Sequence, residues 1–424
     1  MICLLPNCAF LSETTRLLEI YRALRERDAA VRVATHGGTY EYLLAEAGVP
    51  YDVIGPRMTP ERCAQFLRDE IGMGNVNQST YTDDELRTYA RAEADYFRTH
   101  GIRVAVTGFT LTTVLSTRLA GVRLVTEHNG SWVPPVWEHG LLPAPARPIR
   151  PAFRALPDRV VRWLTNAAPP RVRFYTSGFN RIATELGVPQ VPSLAALVLG
   201  DLTLVTEAPE VIGIPPQVME RWRPDGRRGY RPSMRLRYTG PLYTRLDRPL
   251  PDRVARFLDQ DGPMIYVAIT SSPPHLVRAA VRALAPLDAR ILVAGTVHDL
   301  GDLAGERVLV DGVLPSHRVM PRVDLAVTAG GQGSMQTAMA AGTPVLGLPL
   351  QPEQDLNIVL LERLGAARRL ALRHAGTDRL TAMARSMLAD GAYRRAAGAV
   401  KRAYDGIDGP ANAAAAIVEF ADRG

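Results

Sequence analysis

The stretch Thr328–Asn357, TAGGQGSMQTAMAAGTPVLGLPLQPEQDLN, restricts what this chain can fold into more than any other segment. An apolar run, Val323–Val327, precedes it and reads as a short buried strand. The cluster Gly330-Gly331-Gln332-Gly333-Ser334 then opens a helical pattern with Met335, Ala338, Met339 and Ala341 apolar. A strand, a glycine-rich turn and a helix N-terminus in succession can hold an anion. Backbone N–H groups are free in the first helical turn, the helix dipole is positive there, and glycine lets a phosphate come close. The glycines alone also suit a tight turn with no ligand, since such strings are weak motifs. The helix ends at Gly342-Thr343-Pro344, a second strand runs over Val345–Leu348, and the following turn carries Glu353 and Gln354. Their acceptor and donor groups match sugar hydroxyls. Phosphate donors followed by a carboxylate–amide pair describe a nucleotide-sugar site.

The rest of the chain alternates strand and helix patterns. Strands are expected at Ile2–Leu5, Val31–Ala34, Val104–Val106 and Arg123–Thr126, with helices at Glu13–Arg27 and Tyr40–Ala47. A second alternation has strands at Met264–Ile269, Arg290–Ala294 and Arg307–Val310, a helix at His275–Ala285, and a final helical region from Thr377. Such order argues for parallel, doubly wound sheets. With 424 residues, two domains of roughly 200 residues could each bury a core. Residues 216–240, rich in Arg, Pro and Gly, are the expected linker between an N-terminal domain, 1–215, and a C-terminal domain, 241–405. The two sheets are expected to face each other across a cleft, since ligands bind at strand C-termini in such folds.

Composition removes several classes. No apolar run approaches the roughly 20 residues that span a bilayer, so no integral membrane segment is expected. The N-terminus reads as a first strand and lacks the positive start of a signal peptide. Cys3, Cys8 and Cys63 have neither metal-ligand spacing nor the number for a disulfide framework, which fits the cytoplasm. The net charge is +7, carried almost wholly by scattered arginines with Lys401 the single lysine, so no concentrated basic face for nucleic acid is expected. No cluster of metal-ligating residues is found, and none is expected to bind metal.

The segment 328–357 resembles the donor signature of family 1 glycosyltransferases of the GT-B fold, H-G-G-x-G-[ST], then G-x-P, then D-Q-x-x-N. Here these read Ala329-Gly330-Gly331-Gln332-Gly333-Ser334, Gly342-Thr343-Pro344 and Glu353-Gln354-Asp355-Leu356-Asn357. Ala329 replaces the histidine that touches the diphosphate, and Glu353 replaces an aspartate. Leu236–Leu242 is similar to the family's domain junction, Ile265–Ser271 to its first donor strand and phosphate loop, and Gly312–His317 to the segment holding the base. Gly409-Pro-Ala-Asn-Ala matches the start of a last helix, 406–424, that in the family crosses back to the N-terminal domain.

The resemblance implies an α/β GT-B fold and an inverting, metal-independent transfer, with no cofactor, from a dTDP- or UDP-sugar to a small natural product. It places the donor on Ser271, Val313, Leu314, Gly330, Gly331, Gln332, Gly333, Ser334, Glu353 and Gln354, and acceptor contacts on His36, Trp132 and Trp137. Inverting transfer needs a base at the acceptor and donors on the departing diphosphate. The family base aligns with Glu13, a carboxylate in place of histidine, and the residue that orients that histidine aligns with Gly108. Glu13 would equally suit a helix N-terminal carboxylate. His128, beside Glu127 and Asn129, is the second candidate base. A homodimer fits the family. The losses at Ala329, Glu13 and Gly108 leave two other readings open: unusual donor or acceptor chemistry, and a non-catalytic nucleotide-sugar-binding partner.

Overall fold

The computed structural model describes residues 1–70, 80–130, 132–146, 153, 155–226, 230–243, 245–269, 272–296 and 298–423. They form two compact units. The first comprises 1–141, 163–242 and 407–424; the second comprises 142–162 and 243–406.

The first unit holds seven strands: β1 (Ile2–Leu4), β2 (Val31–Thr35), β3 (Asp52–Val53), β4 (Val104–Thr107), β5 (Arg123–His128), β6 (Leu202–Val205) and β7 (Arg235–Tyr238). They lie in the order β3-β2-β1-β4-β5-β6-β7, every pairing parallel. The inner strands are buried on both faces, which is why they read as unbroken apolar runs. From β1 the chain winds outward through β2 and β3, then returns to β4 on the other side of β1. Loops leaving β1 and β4 therefore diverge and open a crevice at their C-terminal ends, where such sheets bind ligands. The helix Leu11–Arg25 follows β1 and buries Leu17, Leu18, Ile20 and Leu24. The helix Gly409–Asp422 packs on the same core through Ala413, Ala414 and Ile417. Gly409 permits this: a Cβ there would stand 2.0 Å from the Pro241 carbonyl oxygen. Arg123 donates to the carbonyls of Phe420 and Ala421 at 2.6 and 3.0 Å.

The expected linker has regular structure. Residues 216–240 contain the helix Pro216–Arg221 and strand β7, the edge of the first sheet, with Leu236 buried. Proline and glycine on both sides conceal a strand of four residues.

The second unit holds β8 (Met264–Ala268), β9 (Arg290–Ala294), β10 (Val308–Asp311), β11 (Leu325–Thr328), β12 (Val345–Gly347) and β13 (Ala367–Arg369), in the parallel order β10-β9-β8-β11-β12-β13. Its winding reverses between β8 and β11, so the crevice lies beyond their C-terminal ends. Residues 142–146 belong to this unit although residues 163–242, part of the first unit, separate them from most of it in sequence. Asp355 accepts from the Ala146 N–H at 2.9 Å and from Arg369 at 2.8 Å, and Arg369 also donates to the Ala144 carbonyl at 3.1 Å.

Candidate active site

In the second unit, Ala329–Gly331 leads from β11 into the helix Gln332–Ala341. Gly330 has φ +88°, and a Cβ on it would press on Ile358 at 2.6 Å, so both conformation and space demand glycine. Gly331 is different. Its φ and ψ of −64° and 149° suit any residue, and a Cβ there would meet nothing within 4 Å. No side chain caps this helix. The space over Gly331 is therefore open where the helix begins at the switch point, an arrangement that can receive a phosphate. Gln332 is buried, while Gly333 and Ser334 are half-buried. Ser271, expected to help here, lies outside the described residues. Its neighbour Ser272 is 2% exposed, with a hydroxyl that has no hydrogen-bond partner. Val313 is half-buried and Leu314 buried, on the loop after β10.

Glu353 and Gln354 begin the helix Pro352–Arg363, after β12. Asn357 joins them to the phosphate turn, donating to Glu353 Oε1 and to the Gly330 carbonyl, each at 2.9 Å. Gln354 Oε1 accepts from the Leu350 N–H at 2.8 Å, so its acceptor holds the turn and its amide hydrogens are the part suited to a ligand. Ala329, where the family pattern has histidine, is buried.

In the first unit, Glu13 lies at the β1/β4 switch point and is 1% exposed. It does not cap its own helix. Its Oε1 accepts from the N–H groups of Phe109 at 2.6 Å, Gly108 at 3.2 Å and Asn7 at 3.3 Å, and from the Thr107 hydroxyl at 3.3 Å. Its Oε2 has no hydrogen-bond partner. Burial raises the carboxyl to about 7, against the lowering pull of the Phe109 N–H and of Arg16. A carboxyl of that strength can exchange a proton near neutrality.

The two histidines are engaged elsewhere. His128 donates through Nε2 to the Val198 carbonyl at 2.6 Å, and burial lowers it to about 4, leaving the ring neutral and weakly basic. His36 bonds the Ile54 carbonyl through Nδ1 at 3.0 Å and Glu93 through Nε2 at 2.9 Å, so both nitrogens are occupied. His36 does line a small cavity with Asn7, Met58, Tyr81, Tyr89 and Thr110; Glu13 is bonded to the Asn7 N–H but does not line the cavity. Trp137 is buried, with its indole N–H unpartnered, and Trp132 is half-buried; neither lines that cavity. Among the described residues, no three His, Cys, Asp or Glu side chains gather as a metal site would require.

Residues 237–416 match the UDP-glucoronosyl and UDP-glucosyl transferase family. A PGL/p-HBAD biosynthesis glycosyltransferase of Mycobacterium tuberculosis is 26% identical over 357 residues, 83% of this chain and 79% of its own length. The oleandomycin glycosyltransferase of Streptomyces antibioticus is 33% identical over 122 residues, 28% of each chain. By these matches the chain is similar to family 1 glycosyltransferases.

The chain also shares its fold with solved GT-B enzymes. VinC, solved with dTDP, superposes with a TM-score of 0.66 at 16% identity, covering 100% of both chains. The spinosyn forosaminyltransferase SpnP gives 0.65 at 15%, covering 99% of both. No helix among its described residues is long and apolar enough to cross a membrane. Two residues of the candidate site carry structure that their sequence positions do not reveal. Asn357 is legible as a motif letter, but its bridge to Gly330 is not. Glu127 is legible only as a neighbour of His128, although its carboxylate stands beside Glu13.

Proposed function

We propose that this glycosyltransferase moves a sugar from a nucleoside-diphosphate sugar, dTDP- or UDP-linked, to a hydroxyl of a small natural product, with inversion and without a metal. The observation that carries the donor assignment is Gly331, a glycine that neither backbone nor packing requires and that leaves space over a helix N-terminus. The diphosphate sits on the N–H groups of residues 332–334, which stabilise the charge that develops as the bond to the sugar breaks. Glu353 and the Gln354 amide hold sugar hydroxyls, with Asn357 fixing their distance from the phosphate turn. Glu13 takes the acceptor proton on Oε2, the hydroxyl oxygen attacks the anomeric carbon, and the nucleoside diphosphate leaves. The named relatives, which include an antibiotic glycosyltransferase and a neighbour solved with dTDP, support the substrate classes.

Calorimetry with dTDP and UDP tests the donor site. Wild-type protein should bind at least one of them, and Gly331→Val should lose that binding with its melting temperature unchanged, because the backbone accepts a side chain there. Binding that survives the substitution would move the diphosphate elsewhere.

A further inference from the structure

Glu127 has no part in the reading above, yet it lies in the same buried site as Glu13. Its side chain is fully enclosed, and its Oε1 accepts from Arg16 Nε at 2.8 Å and from a second Arg16 nitrogen at 2.7 Å. Its Oε2, like that of Glu13, has no hydrogen-bond partner. Gly108 shows how near the two carboxylates come. A Cβ at that position would stand 2.5 Å from Glu127 Oε1 and 3.3 Å from Glu13 Cδ, so both acids occupy the space a side chain just after β4 would need.

Two buried carboxylates thus lie near one guanidinium, which is bonded to Glu127, and each has an oxygen with nothing to satisfy it. Buried anionic oxygens without partners are costly, and a proton on one acid relieves both that cost and the repulsion between them. Burial raises the Glu127 carboxyl as well, but Arg16 bonds it directly and pulls it down, which favours Glu127 as the acid that stays ionised. The proton falls to Glu13. The other groups around Glu13 do not compete. Cys8 is neutral, its thiol pushed up to about 12, His128 is neutral, and the loop after β4 offers only N–H groups and the Thr107 hydroxyl.

We propose that Glu127 is a positioning residue for the transfer reaction: its charge, held by Arg16 beside Glu13, raises the proton affinity of the base. This rests on the reading of Glu13 as base and adds a residue from β5. During transfer the acceptor O–H bond breaks and the proton joins Glu13 Oε2, while Glu127 keeps its charge throughout. The cost of two charges in one site favours proton uptake by Glu13, and the proton passes to solvent after the product leaves.

The pH dependence of kcat tests it, alongside 13C-carboxyl NMR titration of Glu13 in the substrate-free protein. In Glu127→Gln the neighbouring negative charge is gone and Arg16 is left uncompensated, and both changes weaken the base. The acid limb and the Glu13 titration should each move down by about one pH unit or more. Glu127→Asp keeps the charge and should return both toward the wild-type position. A limb and a titration that stay in place in Glu127→Gln would overturn the proposal, as would an equal shift in Glu127→Asp. Full turnover in Glu13→Gln would instead defeat the reading of Glu13 as base, and the NMR titration would still decide whether Glu127 tunes Glu13.

Discussion

At the scale of single residues, Glu13 shows how burial brings an ordinary acid to titrate near neutrality. Three backbone N–H groups hold Oε1 while Oε2 is left free, so Glu13→Gln preserves the bonded oxygen and removes only the proton-accepting function. Turnover in this variant should fall by ~10²–10⁴ with nucleotide binding intact, which single-turnover kinetics and calorimetry would show. The same substitution has a stability signature. The folded carboxyl is raised to about 7, above its unfolded value, so its contribution to stability is fully present below pH ~4.5 and is lost as pH rises through 7. Glutamine has no charge to bury. Glu13→Gln should therefore melt above wild type at pH 8, with the gain shrinking toward pH 5 in a thermal-shift series.

Among the elements, the β11 turn separates two kinds of glycine, and the structure predicts opposite outcomes for them. Gly330→Ala must force a positive φ and push Ile358 aside, and should cost ~1–3 kcal/mol by denaturant unfolding before any ligand is considered. From sequence the two glycines are indistinguishable, because one is fixed by a dihedral angle and the other by space left open. The same limit explains which elements were readable. Strands such as β8 and β9 stand alone as apolar runs and were placed from sequence to within a residue or so. Strand β7 was read as linker because its pattern is short, polar on its outer side and set among prolines and glycines. The bond of residues 142–146 to Asp355 and Arg369 joins positions more than two hundred apart in the chain, and no local pattern encodes it. The base candidate was legible by alignment with a family pattern; the carboxylate that faces it came from another strand and was not.

The largest scale is that of the two units, and here sequence order and spatial order part company. The first unit is assembled from three stretches of chain, and its last piece, the helix Gly409–Asp422, comes after the whole run 243–406. That piece is no ornament. Ile417 is fully buried in a cluster with Leu17, Leu24 and Val104, so Ile417→Ala should cost ~2–5 kcal/mol in the unfolding of the first unit, followed by hydrogen exchange in β1 and β4. The second unit should keep its protection in the same experiment. The interleaving also fixes a calendar for biosynthesis. As the ribosome moves along the message, the first sheet emerges early but lacks one wall until the helix Gly409–Asp422 arrives, whereas the second sheet has all its strands by residue 369. A nascent chain halted near residue 405 would hold a complete second sheet and a first sheet still open to chaperones and proteases, so the first part made is the last to become secure.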